Sequence, residues 1–392
     1  MTTLSPSTSK STAPSDPPPP IFTLSMINPL YYQDFYIAIV SLLTVIAIAA
    51  YSRYHDDRLY SDARPGLSFA ALALTIAVIL FIGYRPVSGV FVDMMNYREA
   101  YLSIRHNSFI FKSDAQNFLF DNVLTWMASS GMPLQWFYVM CAAVNFGLLF
   151  IACRKLFPQD TFLAIIVYLG AFSTFSYATN GIKAGMAASA FLCAIAYKRH
   201  WLVATMFMLI SLGIHHSMTL CIGAYLCAYF YSNTKVYLWM WVIAVILAVL
   251  NFTAIQDFFA SLSDETGAGY LASKNAADWG GKSGFRLDFL IYSAMPVVVG
   301  YYAIISCKLR SRMYTFIFNT YLVANTVWVL CMYANFTNRI AYLSWLMLPI
   351  VMIYPYLRCH FVRGQYRKMN YVVMGHLLFT LAMSYLYYGL LA

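Results

Sequence analysis

Apolar runs near twenty residues recur along almost the whole chain, separated by short polar breaks. In hydrocarbon only a helix satisfies every backbone N–H and C=O within such a run, so the pattern predicts an all-α, polytopic transmembrane helical bundle. Taken in order, the runs predict membrane helices over 33–52, 67–84, 133–152, 160–178, 184–198, 201–215, 217–231, 236–252, 287–306, 313–333, 339–357 and 371–390. That is about 12 crossings at the length a bilayer demands.

Two stretches depart from the pattern. Residues 117–130 (NFLFDNVLTWMASS) are apolar on one face only and stop at Gly131 and Pro133, which predicts an amphipathic interfacial helix rather than a crossing. Residues 201–231 would reach roughly 46 Å as one helix at about 1.5 Å per residue, too long for one crossing and barely enough for two. Two short helices hinged at His215-His216-Ser217 fit that length. Ahead of the first run, residues 1–28 form a Ser/Thr/Pro-rich tail without the apolar core of a signal peptide, expected to be disordered. Residues 29–392 are expected to form one transmembrane domain with long loops at 85–116 and 253–286. Loops that long are commonly functional.

Composition narrows the class. With 61% hydrophobic and 10% charged residues, the chain has too little polar surface to cover a soluble globule. The net charge of +10 reads as basic cytoplasmic loops rather than as a nucleic-acid surface. The clusters Arg154-Lys155, Lys198-Arg199, 308–312 and 358–368 all fall on one side when crossings alternate, which places both termini outside. The eight cysteines lie in or beside apolar segments, and no disulfide framework, zinc spacing or HExxH pattern is present. No metal site and no cofactor are expected. The absence of a defensible internal repeat disfavours inverted-repeat transporters.

The polar residues left over gather on the outward side. Lys183 sits in NGIKAGMAASA beside a small-residue ridge, Gly181, Gly185 and Ser189, that permits close helix packing. A cation there should face an anion, a carboxylate or a watery cavity, the alternative being a lysine that snorkels to the headgroups. Arg339, Arg286 and Arg85 likewise stand at outer helix ends. Each alone is a routine helix-end charge; together they suggest a site for a multiply charged anion, most plausibly phosphate. His215 and His216 are candidates for proton transfer or for interhelical hydrogen bonding. Asp93 is a candidate general base or a partner for Arg85 or Arg98. Tyr97, Tyr270 and Trp279 suit a sugar-contacting surface or an interfacial aromatic belt.

In order and spacing, these elements resemble the EpsG family of Wzy-type polysaccharide polymerases. The resemblance spans about residues 30 to 360. It rests on Asp93 with Tyr97 after the second helix, NGIKAGMAASAFLCAIAYKRH, IHHSMTL and NRIAYLSWLMLPI. One departure stands out: Lys183-Ala184 occupies the place of the family's Arg-Gln, which keeps the charge and loses the bidentate fork. The resemblance implies a metal-independent membrane glycosyltransferase, similar to the GT-C-like integral-membrane enzymes. It would polymerise undecaprenyl-diphosphate-linked oligosaccharide repeats into O-antigen or exopolysaccharide at the periplasmic face of a bacterial inner membrane. That lipid-linked oligosaccharide would be both donor and acceptor, the bilayer the solvent, and a chain-length regulator a possible membrane partner; nucleic acid is not implied. Lys183, Arg286, Arg339 and Arg85 would hold the diphosphate, and His215, His216 or Asp93 would activate the acceptor hydroxyl. An O-antigen ligase-like glycosyltransferase and a transporter or flippase of lipid-linked sugars remain as alternatives.

Overall fold

The computed structural model describes residues 27–52, 65–105, 107–252, 284–334 and 337–388. Among them every regular element is helical, as the apolar runs require. The expected tail, most of the 253–286 loop, and Tyr270 and Trp279 lie outside the described residues. A 3-10 turn (Pro29–Tyr31) opens onto α1 (Tyr32–Tyr51), followed by α2 (Pro65–Gly83), α3 (Val92–Ile104), α4 (Phe118–Ser129) and α5 (Leu134–Leu156). Next come α6 (Thr161–Leu169), α7 (Phe172–Thr179), α8 (Ile182–Ala196), α9 (Trp201–Ile214), α10 (Met218–Phe230) and α11 (Thr234–Val249). The last group is α12 (Leu287–Tyr301), continued by a π turn at Tyr302–Ser306, then α13 (Arg312–Leu330), α14 (Thr337–Trp345), α15 (Leu348–Arg358) and α16 (Gln365–Tyr388).

Among the described residues five helices are long and apolar enough to cross a membrane, or six if the bent α6–α7 pair is one span, and five shorter apolar helices accompany them. The chain is therefore a multi-pass membrane protein. One predicted span, 160–178, is broken: α6 and α7 meet at Gly170-Ala171 with a bend of 76°. Hydroxyls take up the backbone groups freed there, two of them from distant helices. The Tyr36 hydroxyl donates to Leu169 O at 2.7 Å, Thr174 Oγ1 donates to Tyr168 O at 2.6 Å, and Phe172 N–H donates to the Tyr292 hydroxyl at 3.2 Å. Irregular backbone survives at membrane depth only with such partners. Nothing local in the apolar pattern announces the bend, since two of the three partners lie on α1 and α12.

Between helices in lipid, close approach and hydrogen bonds replace the hydrophobic effect as the cohesive terms. A Cβ at Gly300 would stand 2.2 Å from the buried Phe318 ring, and one at Gly83 2.9 Å from Val139 Cα, so both contacts need glycine. Trp241 Nε1 donates to Asn325 Oδ1 at 2.7 Å, Asn325 Nδ2 donates to Ser344 Oγ at 2.9 Å, and Trp345 Nε1 donates to Ser293 Oγ at 2.7 Å. Together these fasten α11, α12 and α13 onto α14, whose apolar stretch, continued by α15, is enclosed by neighbouring helices while Arg339 and Arg358 near its two ends are exposed.

Alternating chain direction sorts the helix ends into two groups. At one end lie the basic clusters, where Lys198 Nζ stands 3.9 Å from the centroid of the Phe316 ring and Lys155 Nζ 5.0 Å from that of Tyr197. At the other end meet the C-termini of α2, α7, α9 and α13 and the N-termini of α5, α8, α10, α12 and α14. The stretch 85–116, expected to be loop, contains α3, because Met94, Tyr97 and Tyr101 recur at helical spacing and face α4 and α5. Tyr101 donates to Met132 O at 2.9 Å, and Asn122 of α4 exchanges hydrogen bonds with the Lys112 backbone at 2.8 and 2.9 Å, anchoring the rest of the stretch. α4 matches the expected amphipathic helix, burying Phe120, Leu124 and Met127 while Trp126 stays exposed.

Candidate functional site

The end remote from the basic clusters carries the residues singled out by sequence, and α4 ties several of them together. Asn117, just before α4, accepts from the His216 backbone N–H at 3.1 Å. Leu119 packs so closely on Gly213 that a Cβ there would stand 2.8 Å from its Cγ. Phe120 lies under the Lys183 ammonium at 5.8 Å and against the Tyr97 ring at 5.5 Å. The hinge, the lysine and Tyr97 thus share one short helix as their floor.

The hinge forms where expected. α9 ends at Ile214, α10 begins at Met218, and His215 adopts an extended backbone (φ −151°, ψ 115°). His215 is buried, and its Nδ1 accepts the Ser217 backbone N–H at 3.3 Å with the Ser217 hydroxyl at 3.0 Å. A ring that accepts at Nδ1 carries its neutral-form proton on Nε2.

Lys183 occupies the first turn of α8, whose N-cap is Gly181. Gly181 abuts the Tyr177 ring, and a Cβ at Gly185 would meet the Tyr177 carbonyl at 2.5 Å and Asn145 Nδ2 at 3.1 Å. Ser189 completes the ridge by donating to Asn145 Oδ1 at 2.7 Å. The small-residue ridge therefore does what its spacing predicts, drawing α8 onto α5 and the end of α7. The Tyr177 ring meets the Tyr342 ring edge to face, with centroids 5.2 Å apart, and Arg339 lies three residues before Tyr342 on α14. Cys221 of α10 donates to Leu343 O at 3.3 Å, bringing the helix after the hinge to the same place. Lys183 and Arg339 stand in the first turns of α8 and α14, at the positive N-terminal ends of those helices.

Two of the expected anion ligands are engaged otherwise. Arg85 is 1% exposed: Nη1 donates to Ile82 O at 2.7 Å, Nη2 donates to Thr179 O at 3.3 Å, and the guanidinium lies over Tyr138 and Phe91. Burial lowers its pKa to about 10, so it keeps its charge at neutral pH. The arrangement makes Arg85 a clamp that closes α2 and α5 onto the end of α7 rather than an open phosphate ligand. Arg286 forms a bidentate pair with Asp288, Nε–Oδ1 3.0 Å and Nη2–Oδ2 2.7 Å, and stacks on Phe289 at 3.7 Å. Its fork is occupied by a carboxylate on its own helix. Asp93 lies in the first turn of α3, one residue before Met94, whose carbonyl accepts the Tyr138 hydroxyl at 2.8 Å.

The clamp role has a measurable consequence. Arg85→Ala removes the guanidinium's bonds to two buried carbonyls, of which Ile82 O keeps the residue 85 backbone N–H at 3.5 Å and Thr179 O loses its side-chain donor at a cost of about 1–3 kcal/mol, so the purified variant should melt at a lower temperature than wild type. An unchanged melting temperature with lost activity would instead make Arg85 a substrate ligand.

Among the described residues no group of three or more His, Cys, Asp or Glu side chains is placed to hold a metal ion. The decisive comparison is with family models. The EpsG family model matches residues 69–391. The chain belongs to the EpsG family. No curated protein and no solved structure matches it. EpsG membership points to a polymerase-like membrane protein of polysaccharide biosynthesis. Sequence reasoning missed Tyr177, Tyr342, Phe120 and Asn117. Each looks like an ordinary core or cap residue in its own helix, and only contacts between distant helices single it out.

Proposed function

We propose that this EpsG-family protein is a membrane glycosyltransferase that polymerises undecaprenyl-diphosphate-linked oligosaccharide repeats. The observation that carries the reading is the gathering of Lys183, Arg339, Tyr97 and the His215-His216 hinge at one end of the bundle. On this reading the described helices, with the bent pair and the α14–α15 pair as single spans, make about 12 crossings. The basic end faces the cytoplasm, and the site faces the periplasmic side of a bacterial inner membrane.

The growing chain would leave its lipid diphosphate as the acceptor hydroxyl of a new lipid-linked repeat attacks the anomeric carbon. The bond from that carbon to the phosphate oxygen breaks, and the electron pair departs with the diphosphate. Lys183 and Arg339, with the N-termini of α8 and α14, would stabilise this developing charge, which is electrostatic catalysis by preorganised groups. Arg286 would join them only by exchanging Asp288 for phosphate. The acceptor proton would pass to His215, His216 or Asp93. The half-buried ring of Tyr97 offers a surface for a sugar ring.

A strain lacking the protein should hold single lipid-linked repeats on the periplasmic face and no long chains. Lectin labelling of intact spheroplasts tests this. Repeats confined to the cytoplasmic face would overturn the enzyme reading in favour of a flippase.

A further inference from the structure

A groove of the bundle lies away from this site, between the first half of α11 and the second half of α12. Its volume is about 540 Å³, and its walls include Lys235, Trp239, Val242, Val298, Tyr301 and Ile305. Trp239 and Val298 are each about two-thirds exposed, and Tyr301 half exposed, so the groove opens on the outer surface of the bundle. In a membrane protein that surface is bathed in hydrocarbon. The volume falls within the range of built ligand pockets, roughly 300–1,000 Å³.

Charge and backbone geometry say what fills it. Lys235 stands in the first turn of α11, at the basic end of the bundle. On the opposite wall the π turn at Tyr302–Ser306 is closed by Cys307 N–H donating to Tyr302 O at 2.9 Å, and Leu309 N–H donates to Ala303 O at 2.9 Å across Lys308, whose φ is 54°. Lys308, Arg310 and Arg312 are all exposed there. Pro296 lies one residue before the α12 wall and the π turn ends it, so the backbone is irregular at both ends of the groove's length. A single apolar slot capped by cations matches one acyl chain with an anionic headgroup.

We propose that this groove binds an anionic phospholipid from the leaflet at the basic end of the bundle, its chain along Trp239 and Val298 and its phosphate at Lys235. The occupant is not the sugar donor, because its headgroup lies at the end opposite Lys183 and Arg339. The groove is a structural or regulatory lipid site, separate from transfer.

Bromine on an acyl chain quenches a tryptophan it touches. The full-length protein is reconstituted in phosphatidylcholine containing either brominated phosphatidylglycerol or brominated phosphatidylcholine. Subtracting the signal of Trp239→Phe from that of the wild type isolates Trp239 among the eight tryptophans. The expected result is half-maximal quenching at an about fivefold lower mole fraction of the brominated anionic lipid, the preference a single lysine near a headgroup provides. Lys235→Gln should weaken that preference while leaving quenching by brominated phosphatidylcholine intact, which also shows the variant folded. Equal quenching by both lipids would reduce the groove to ordinary annular contact. Trp239-dependent quenching by neither lipid would show the groove closed, for example by a second copy of the chain. Either result overturns the proposal.

Discussion

Replacing Arg339 by alanine should abolish long-chain polysaccharide, with single lipid-linked repeats accumulating at the periplasmic face. The expected loss is about 10²-fold or more in transfer rate, the usual consequence of removing one preorganised group that stabilises transition-state charge. Lys183→Ala should behave the same way. Lys183 lies over Phe120 at 5.8 Å in the first turn of α8, and Arg339 stands in the first turn of α14, three residues before Tyr342. Neither removal opens a large cavity in the enclosed part of the bundle, so both variants should reach the membrane in normal amount. Immunoblots of membranes and gel profiles of extracted polysaccharide read the two effects separately. Full-length polymer from either variant at wild-type protein level would remove that cation from the site.

The second large effect is structural, and it tests how α7 and α8 position that cation pair. Gly185→Ala places a methyl group 2.5 Å from the Tyr177 carbonyl and 3.1 Å from Asn145 Nδ2. The first neighbour is backbone and cannot swing aside, so α7 and α8 must separate. Overpacking of this kind costs about 1–3 kcal/mol, well above the roughly 1 kcal/mol that alanine gains over glycine in a helix. The separation also moves Tyr177 relative to Arg339, and displacements near 1 Å in a positioned site can cost about 10²-fold in rate. Gly185→Ala should therefore both lower the melting temperature of the purified protein and shorten its polymer. Gly147→Ala on α5 has open space around its Cβ position and supplies the control that should do neither. A Gly185→Ala protein that melts and polymerises like the control would show the α7–α8 approach to be dispensable.

Much of the helical frame was legible from hydropathy, because lipid leaves a long apolar run no choice but to coil. The hinge at 215–217 was legible for a related reason: a run too long for one crossing and short for two must break, and His-His-Ser is its most polar point. The 76° bend at Gly170-Ala171 was hidden because its stabilising hydroxyls come from Tyr36 and Tyr292, far away in the chain. α3 was hidden for the opposite reason, its apolar stripe being only Met94, Tyr97 and Tyr101 among polar neighbours. At the site, the charges of Lys183 and Arg339 were visible and the state of the other two cations was not. Arg85 and Arg286 look alike at helix ends, yet one clamps two carbonyls and the other grips Asp288, distinctions that require knowing which backbone or carboxylate folds beside them.

The central claim is that the cations at one end of the bundle assist departure of a lipid diphosphate. Its most direct test is transfer by the purified protein in proteoliposomes supplied with a defined undecaprenyl-diphosphate-linked repeat and no divalent metal. Wild type should release one undecaprenyl diphosphate for each glycosidic bond formed, and Arg339→Ala should release almost none although it still binds the substrate lipid. Diphosphate release at the wild-type rate by Arg339→Ala, or movement of intact repeats across the bilayer without any release by wild type, would contradict the account.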